Sequence, residues 1–238
     1  MNNQPVHFND LGIIDYKSAW DHQESLVREN LEIKTAARLS EEQSTPSMLA
    51  TKHHLLFCEH PSVYTLGKSG SMKNVLLSEQ QMEDRDIEFF KTNRGGDITF
   101  HGLGQVVGYP ILDLEKFYTD IGKYLRSLEE VIILTLLAYG LEGERSAGET
   151  GVWLDASMPG KERKICAMGI RCSRWITLHG FALNVNTDLS YFNNIIPCGI
   201  HNKLVTSMEK ELGVPVDMKE IKERILDNFQ KVFSVEIL

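Results

Sequence analysis

Residues Lys164–Val185 read KICAMGIRCSRWITLHGFALNV. Two apolar, β-prone runs, Lys164–Ile170 and Trp175–Val185, flank the polar segment Arg171–Arg174, and this pattern predicts a β-hairpin. Working outward, Gly151–Leu154, His54–Cys58, Ser62–Leu66 and Ile87–Thr92 read as further short strands. Val106–Leu114 is also apolar and β-rich. Its Pro110 has no N–H for a ladder, which predicts an edge or a bulge there. Helical rhythm appears in Ser18–Leu39 (Trp20, Leu26, Val27, Leu31) and in Asp120–Tyr139, where Tyr124, Leu128, Val131 and Ile132 share a side and Gly140 is a plausible stop. Lys203–Leu212 and Met218–Phe233 are predicted as closing helices, with Pro215 between them and Ile221, Ile225, Leu226 and Phe229 on one face of the second. Glu41–Thr51 is polar and reads as a loop. Strands in runs and helices in runs, without βαβ alternation, predict an α+β fold with a mixed or antiparallel sheet flanked by helices. No linker divides the chain, so residues 1–238 are read as one domain.

Composition narrows the function classes. The 238 residues are 42% hydrophobic and 24% charged, with a net charge of -8. That charge does not favour nucleic acid, where phosphates need Lys and Arg clusters. No stretch approaches the roughly 18 apolar residues of a membrane helix, and MNNQPVHFNDLG lacks the basic and apolar regions of a secretory signal. A cytoplasmic location is the expectation. Cys58, Cys166, Cys172 and Cys198 form no C-x-x-C pair, which argues against a disulfide framework or a zinc site.

Three segments carry chemistry. Arg94–Gln105 reads RGGDITFHGLGQ, with four glycines interleaved with polar side chains. Glycines let backbone N–H groups approach a ligand closely, but a tight hairpin would need them equally. No phosphate-loop or dinucleotide-binding pattern is present. In KERKICAMGI, Lys164 sits where a loop becomes an apolar strand, either solvated or aimed into a site. In IIPCGIHN, Cys198 lies between Pro197 and Gly199, a pair suited to presenting a side chain on a turn. A nearby cation makes a thiol a better nucleophile. Lys164, His101, His179 and His201 are all candidates, and the sequence does not rank them.

The chain resembles the lipoyl(octanoyl) transferases over most of its length. The resemblance rests on HPSVYTLGK at His60–Lys68, RGGDITFHGLGQ at Arg94–Gln105, GVW at Gly151–Trp153, KICAMGI at Lys164–Ile170, SRWITLHGFALNV at Ser173–Val185 and PCGI at Pro197–Ile200. It implies the α+β fold of the biotin and lipoate protein ligases, with no cofactor. It implies transfer of an octanoyl group from octanoyl-acyl carrier protein to a lysine of lipoyl domains, those of 2-oxoacid dehydrogenase complexes and the glycine cleavage H protein. Cys198 is then the nucleophile and Lys164 its activator. Arg94, Gly95, Gly96, Asp97, Ile98, Thr99, Phe100 and His101 form one acyl-binding wall. Ala167, Met168 and Gly169 form a second, and Gly180, Phe181 and Ala182 a third. The family loop usually reads H-G-P-G-Q; here Leu103 replaces the proline, which loosens the loop and leaves His101 and Gln105 in place. An ATP-dependent ligase needs no such cysteine. A non-catalytic lipoyl-domain-binding module has no reason to keep Cys198 with Lys164.

Overall fold

The computed structural model describes residues 3–42, 49–196 and 204–238. In chain order the elements are β1 (Gln4–Ile13), α1 (Tyr16–Glu42), β2 (His53–Glu59), β3 (Val63–Leu66), α2 (Glu79–Glu83), β4 (Glu88–Lys91), β5 (Ile98–His101), β6 (Gln105–Ile111), α3 (Ile121–Leu137), β7 (Val152–Leu154), β8 (Arg163–Ser173), β9 (Ile176–Asn184), β10 (Leu204–Val205), α4 (Met208–Leu212), α5 (Met218–Phe233) and β11 (Val235–Ile237). The larger sheet runs β10-β8-β9-β6-β2-β1-β11, with β7 also paired to β8; β4-β3-β5 form a smaller sheet. The large sheet is mixed, because β1 pairs parallel with β2 and β11 while β2, β6, β9 and β8 pair antiparallel. The architecture is therefore the α+β arrangement expected.

Alternation along the central strands gives the sheet two buried faces. Leu55 and Phe57 of β2 join one core, and Leu56 and Cys58 join the other. On the first face α3 lays Tyr124, Leu128, Val131, Ile132 and Leu136, and α5 lays Ile221, Ile225, Phe229 and Phe233, each at helical spacing. Asp120 caps α3 by accepting from the Lys123 N–H at 2.9 Å. The second face is covered by α1. Its buried stripe is Tyr16, Ala19, Gln23, Val27 and Asn30, while Trp20, Leu26 and Leu31 are only half-buried. Both polar members reach backbone of other elements: Asn30 makes a pair of 2.8 Å bonds with the Lys52 backbone, and Gln23 Oε1 accepts from the His179 N–H at 2.9 Å, while Gln23 Nε2 has no partner among the described residues.

The structure corrects three readings. The β8–β9 turn is Arg174–Trp175, not Arg171–Arg174, because Arg171–Ser173 extend β8 and pair with Leu178, Thr177 and Ile176. Pro110 is not at an edge; β6 lies inside the sheet, between β2 and β9. The β6–β9 ladder covers only Gln105–Gly108, so the missing N–H of Pro110 falls beyond its end. A Cβ on Gly180 would meet Pro110 Cδ at 2.7 Å, which shows the ring turned toward β9. Residues Leu204 and Val205, expected as helix, form β10 instead, and Thr206 N donates to the Lys164 carbonyl at 3.0 Å. Ser207 caps α4 with an extended backbone, φ -137° and ψ 162°, so the helix starts only at Met208. The strands β1 and β11 at the chain ends carry no local signal; mutual pairing and β2 define them. Of the predicted Glu41–Thr51 loop, residues 43–48 lie outside the described residues. Among the described residues, no helix is long and apolar enough to cross a membrane.

Candidate active site

A cavity of about 490 Å³ lies against the β8–β9–β6 part of the sheet, within the usual range for a small-molecule site. Its floor follows from register and side-chain size. Ala167 pairs with Ala182 and Gly169 with Gly180 across β8 and β9, and Val107 of β6 lies beside Ala182. Small residues at these facing positions leave a trough in the sheet surface. Met168, Phe181, Tyr109 and Tyr16 complete the walls.

The Arg94–Gln105 segment builds the opposite wall, as part strand and part loop. Arg94 is 8% exposed and spends its guanidinium on the fold. Its Nη2 donates to Thr65 O at 2.6 Å, Thr65 Oγ1 at 3.0 Å and Asp97 O at 2.8 Å. The Gly95 N–H donates to Ile170 O at 2.8 Å, tying the loop to the free edge of β8. Asp97 accepts from Asn74 Nδ2 at 2.6 Å. In β5, Thr99 and His101 line the cavity. Phe100 does not line it; it packs in the small-sheet core, stacked on Tyr191 at 4.6 Å. Leu103 is exposed, in the turn to β6. That turn needs Gly104, whose φ is +77° and whose Cβ would strike Asn186 O at 2.4 Å.

Both cavity histidines are held neutral. Burial lowers His101 to about 3, helped by His60 and Arg94. Its Nδ1 donates to Gln105 Oε1 at 2.8 Å, an orientation fixed because Gln105 Nε2 donates to Asn184 Oδ1 at 2.8 Å. Burial, with Arg94 and Arg171, likewise lowers His179 to about 3.

Lys164 sits at the other end of the trough, with Asn184 and Val205. Its Nζ lies 4.6 Å from the centre of the Trp153 ring and 4.0 Å from Glu149 Oε2. Glu149 is delivered by a loop anchored on the buried Glu129 of α3. Glu129 accepts from Gly151 N at 3.0 Å, Arg126 at 2.6 Å and Arg145 at 3.2 Å. The sequence offered no sign of either glutamate. Cys198 and His201 lie outside the described residues. Of the described cysteines, Cys58 and Cys166 are fully buried with thiols pushed up by burial, which suits them to packing and not to attack.

The lipoyl protein ligase A/B catalytic domain matches residues 15–230 of this chain. An octanoyltransferase of Flavobacterium johnsoniae is 57% identical over 237 residues, covering 99% of this chain and 100% of that protein. One from Christiangramia forsetii is 55% identical over 236 residues, covering 99% and 98%. Among solved structures, a bi-partite lipoate protein ligase of Thermoplasma acidophilum shares the fold, with a TM-score of 0.67 over 99% of this chain and 86% of that one at 16% identity.

Proposed function

The chain belongs to the lipoyl protein ligase A/B catalytic family, and from that premise we propose that it transfers an octanoyl group from octanoyl-acyl carrier protein to the lysine of lipoyl domains. Residues 1–238 act as one catalytic domain. The accepting domains are those of the 2-oxoacid dehydrogenase complexes and the glycine cleavage H protein. The observation that carries this reading is the trough floored by Ala167, Gly169, Gly180 and Ala182 that ends at Lys164. The small side chains of its floor leave room for an alkyl chain, and Lys164 is the lysine that lines it among the described residues.

The thiolate of Cys198 attacks the thioester carbonyl. A carbon–sulfur bond forms, and the tetrahedral oxyanion collapses to expel the carrier thiolate, which takes its proton from the Lys164 ammonium and leaves that amine neutral. The lysine amine of the lipoyl domain then attacks the acyl-cysteine. Its proton passes to Lys164 and the Cys198 thiolate leaves. Lys164 acts as an ammonium beside the thiolate in the first half and as a proton acceptor in the second. A thioester is already activated, so no nucleotide enters.

Intact mass after mixing with octanoyl-acyl carrier protein tests the scheme. One octanoyl group should appear on the wild-type chain and none on Cys198→Ala, and the group should leave when a lipoyl domain is added. Strict dependence on ATP and free octanoate would instead make the chain a ligase.

A further inference from the structure

A buried carboxylate holds the loop before β7 against the cavity. Glu129 is fully buried and accepts from the Gly151 N–H at 3.0 Å. Gly151 has φ +114°, and a Cβ there would strike the Cys166 carbonyl oxygen at 2.5 Å, so the loop backbone is pressed onto β8. Arg126 of α3 donates through Nη1 to Glu129 at 2.6 Å and through Nη2 to the Glu149 carbonyl at 3.4 Å. Arg145, on the loop itself, pairs with Glu129 and Glu130. These contacts hold Gly148, Glu149 and Thr150 in place, and all three line the cavity. Gly148 is exposed, so the loop forms part of the cavity's rim. The Glu149 side chain is 19% exposed, and its Oε2 lies 4.0 Å from Lys164 Nζ. The charged groups around it are Lys164 of β8, Arg126 and Glu129 of α3, and Arg145 of its own loop, and both arginines are paired with Glu129.

Proton balance gives the Glu149 carboxylate a role. A free lysine side chain has a pKa of about 10.4, so the lysine of a lipoyl domain arrives as an ammonium. It ends as an amide nitrogen, and two protons leave it on the way. Lys164, neutral once Cys198 is acylated, takes one. The other needs a second acceptor, and Glu149 is the carboxylate that lines the cavity beside Lys164. Resting on the acyl-transfer reading, we propose that Glu149 is the second proton acceptor of the transfer step. Its carboxylate pairs with the entering ammonium, which gives one proton to Lys164 and attacks the acyl-cysteine as an amine. The new carbon–nitrogen bond leaves a cationic nitrogen in the tetrahedral adduct. That nitrogen is more acidic than the free ammonium, because the oxygen and sulfur on the same carbon withdraw electrons from it. Its second proton passes to Glu149, the carbon–sulfur bond breaks, and the Cys198 thiolate leaves beside the Lys164 ammonium. The Glu149 carboxyl, at the rim, then gives its proton to solvent.

The test follows each half-reaction of the full chain by intact mass in Glu149→Gln, which keeps the shape and removes the carboxylate. Transfer from the octanoyl-enzyme to a saturating lipoyl domain should slow on the order of a hundredfold, a usual loss for a proton acceptor. Saturation separates this loss of rate from weaker docking. The first half-reaction has no ammonium substrate, so octanoylation of Cys198 should be far less affected. The ratio of wild-type to Glu149→Gln transfer rates should shrink as pH rises from 7 toward 10, because more of the lysine then arrives as an amine with a single proton to lose. Hydroxylamine, already neutral at pH 7, should remove the octanoyl group from both enzymes at similar rates. An equal slowing of the first half-reaction would make Glu149 a holder of Lys164 alone. A ratio independent of pH, or an equal slowing with hydroxylamine, would make its role structural. Each of these overturns the proposal, as does unchanged transfer to the lipoyl domain. Failure of the wild-type chain to form an octanoyl-enzyme would overturn the acyl-transfer reading and the proposal with it.

Discussion

Gly169 and Gly95 approach so closely that a Cβ on Gly169 would lie 2.8 Å from the Gly95 carbonyl oxygen and 3.2 Å from Arg94 Cδ. This contact seats the glycine-rich wall on the edge of β8. Gly169→Ala should push the Arg94–Gly96 loop off the trough. Octanoyl transfer should fall roughly tenfold to a hundredfold, because small displacements of positioning groups are costly, while circular dichroism stays native. Unchanged transfer would show that the seat is not needed.

Lys164 should be separable into two roles. Arginine keeps a charge but does not lose its proton at working pH. Lys164→Arg should retain some acylation of Cys198 and fail in transfer to the lipoyl domain, and Lys164→Ala should fail in both. Each half-reaction can be followed by intact mass. Near-wild-type rates in Lys164→Ala would leave His101 as the group to test.

Glu129 should matter for stability first. It is fully buried and accepts from Gly151 N and from two arginines that are themselves partly exposed. Glu129→Ala leaves the Gly151 N–H unbonded and removes the anchor of the Glu149 loop. The expected loss is about 2–3 kcal/mol, a fall in Tm of roughly 4–12 °C for a chain of this size. Differential scanning calorimetry reads it directly.

Acid should destabilise the fold through His101 and His179. Both are lowered to about 3 in the native state, chiefly by burial, against about 6.5 when unfolded. Above pH 6.5 both states are neutral and these groups contribute no pH dependence. As pH falls from 6.5 toward 3 the unfolded state binds protons that the native state does not. Stability therefore drops by up to about 1.4 kcal/mol per pH unit for each histidine. Urea unfolding at pH 7, 6 and 5 should show this fall, and His101→Gln should reduce its slope.

Much of the architecture was legible locally. The period of α3 and α5 named their buried faces, and the two apolar runs named the β8–β9 hairpin, although its turn is Arg174–Trp175 and not Arg171–Arg174. What the sequence did not reveal depends on contacts between distant residues. Gln4–Ile13 contains Pro5, Asn9, Asp10 and Gly12, and it is a strand only because β2 and β11 pair with it. Pro110 sits inside the sheet because the ladder on its N side stops at Gly108. Gln23 and Asn30 are core residues because a backbone from another element meets each of them. Glu129 and His179 are the same case at the site: one buried carboxylate and one buried imidazole. Local periodicity reports which side of an element is buried. Whether a polar group on that side finds a partner, or is left facing a cavity, is decided by the packing of elements far apart in the chain.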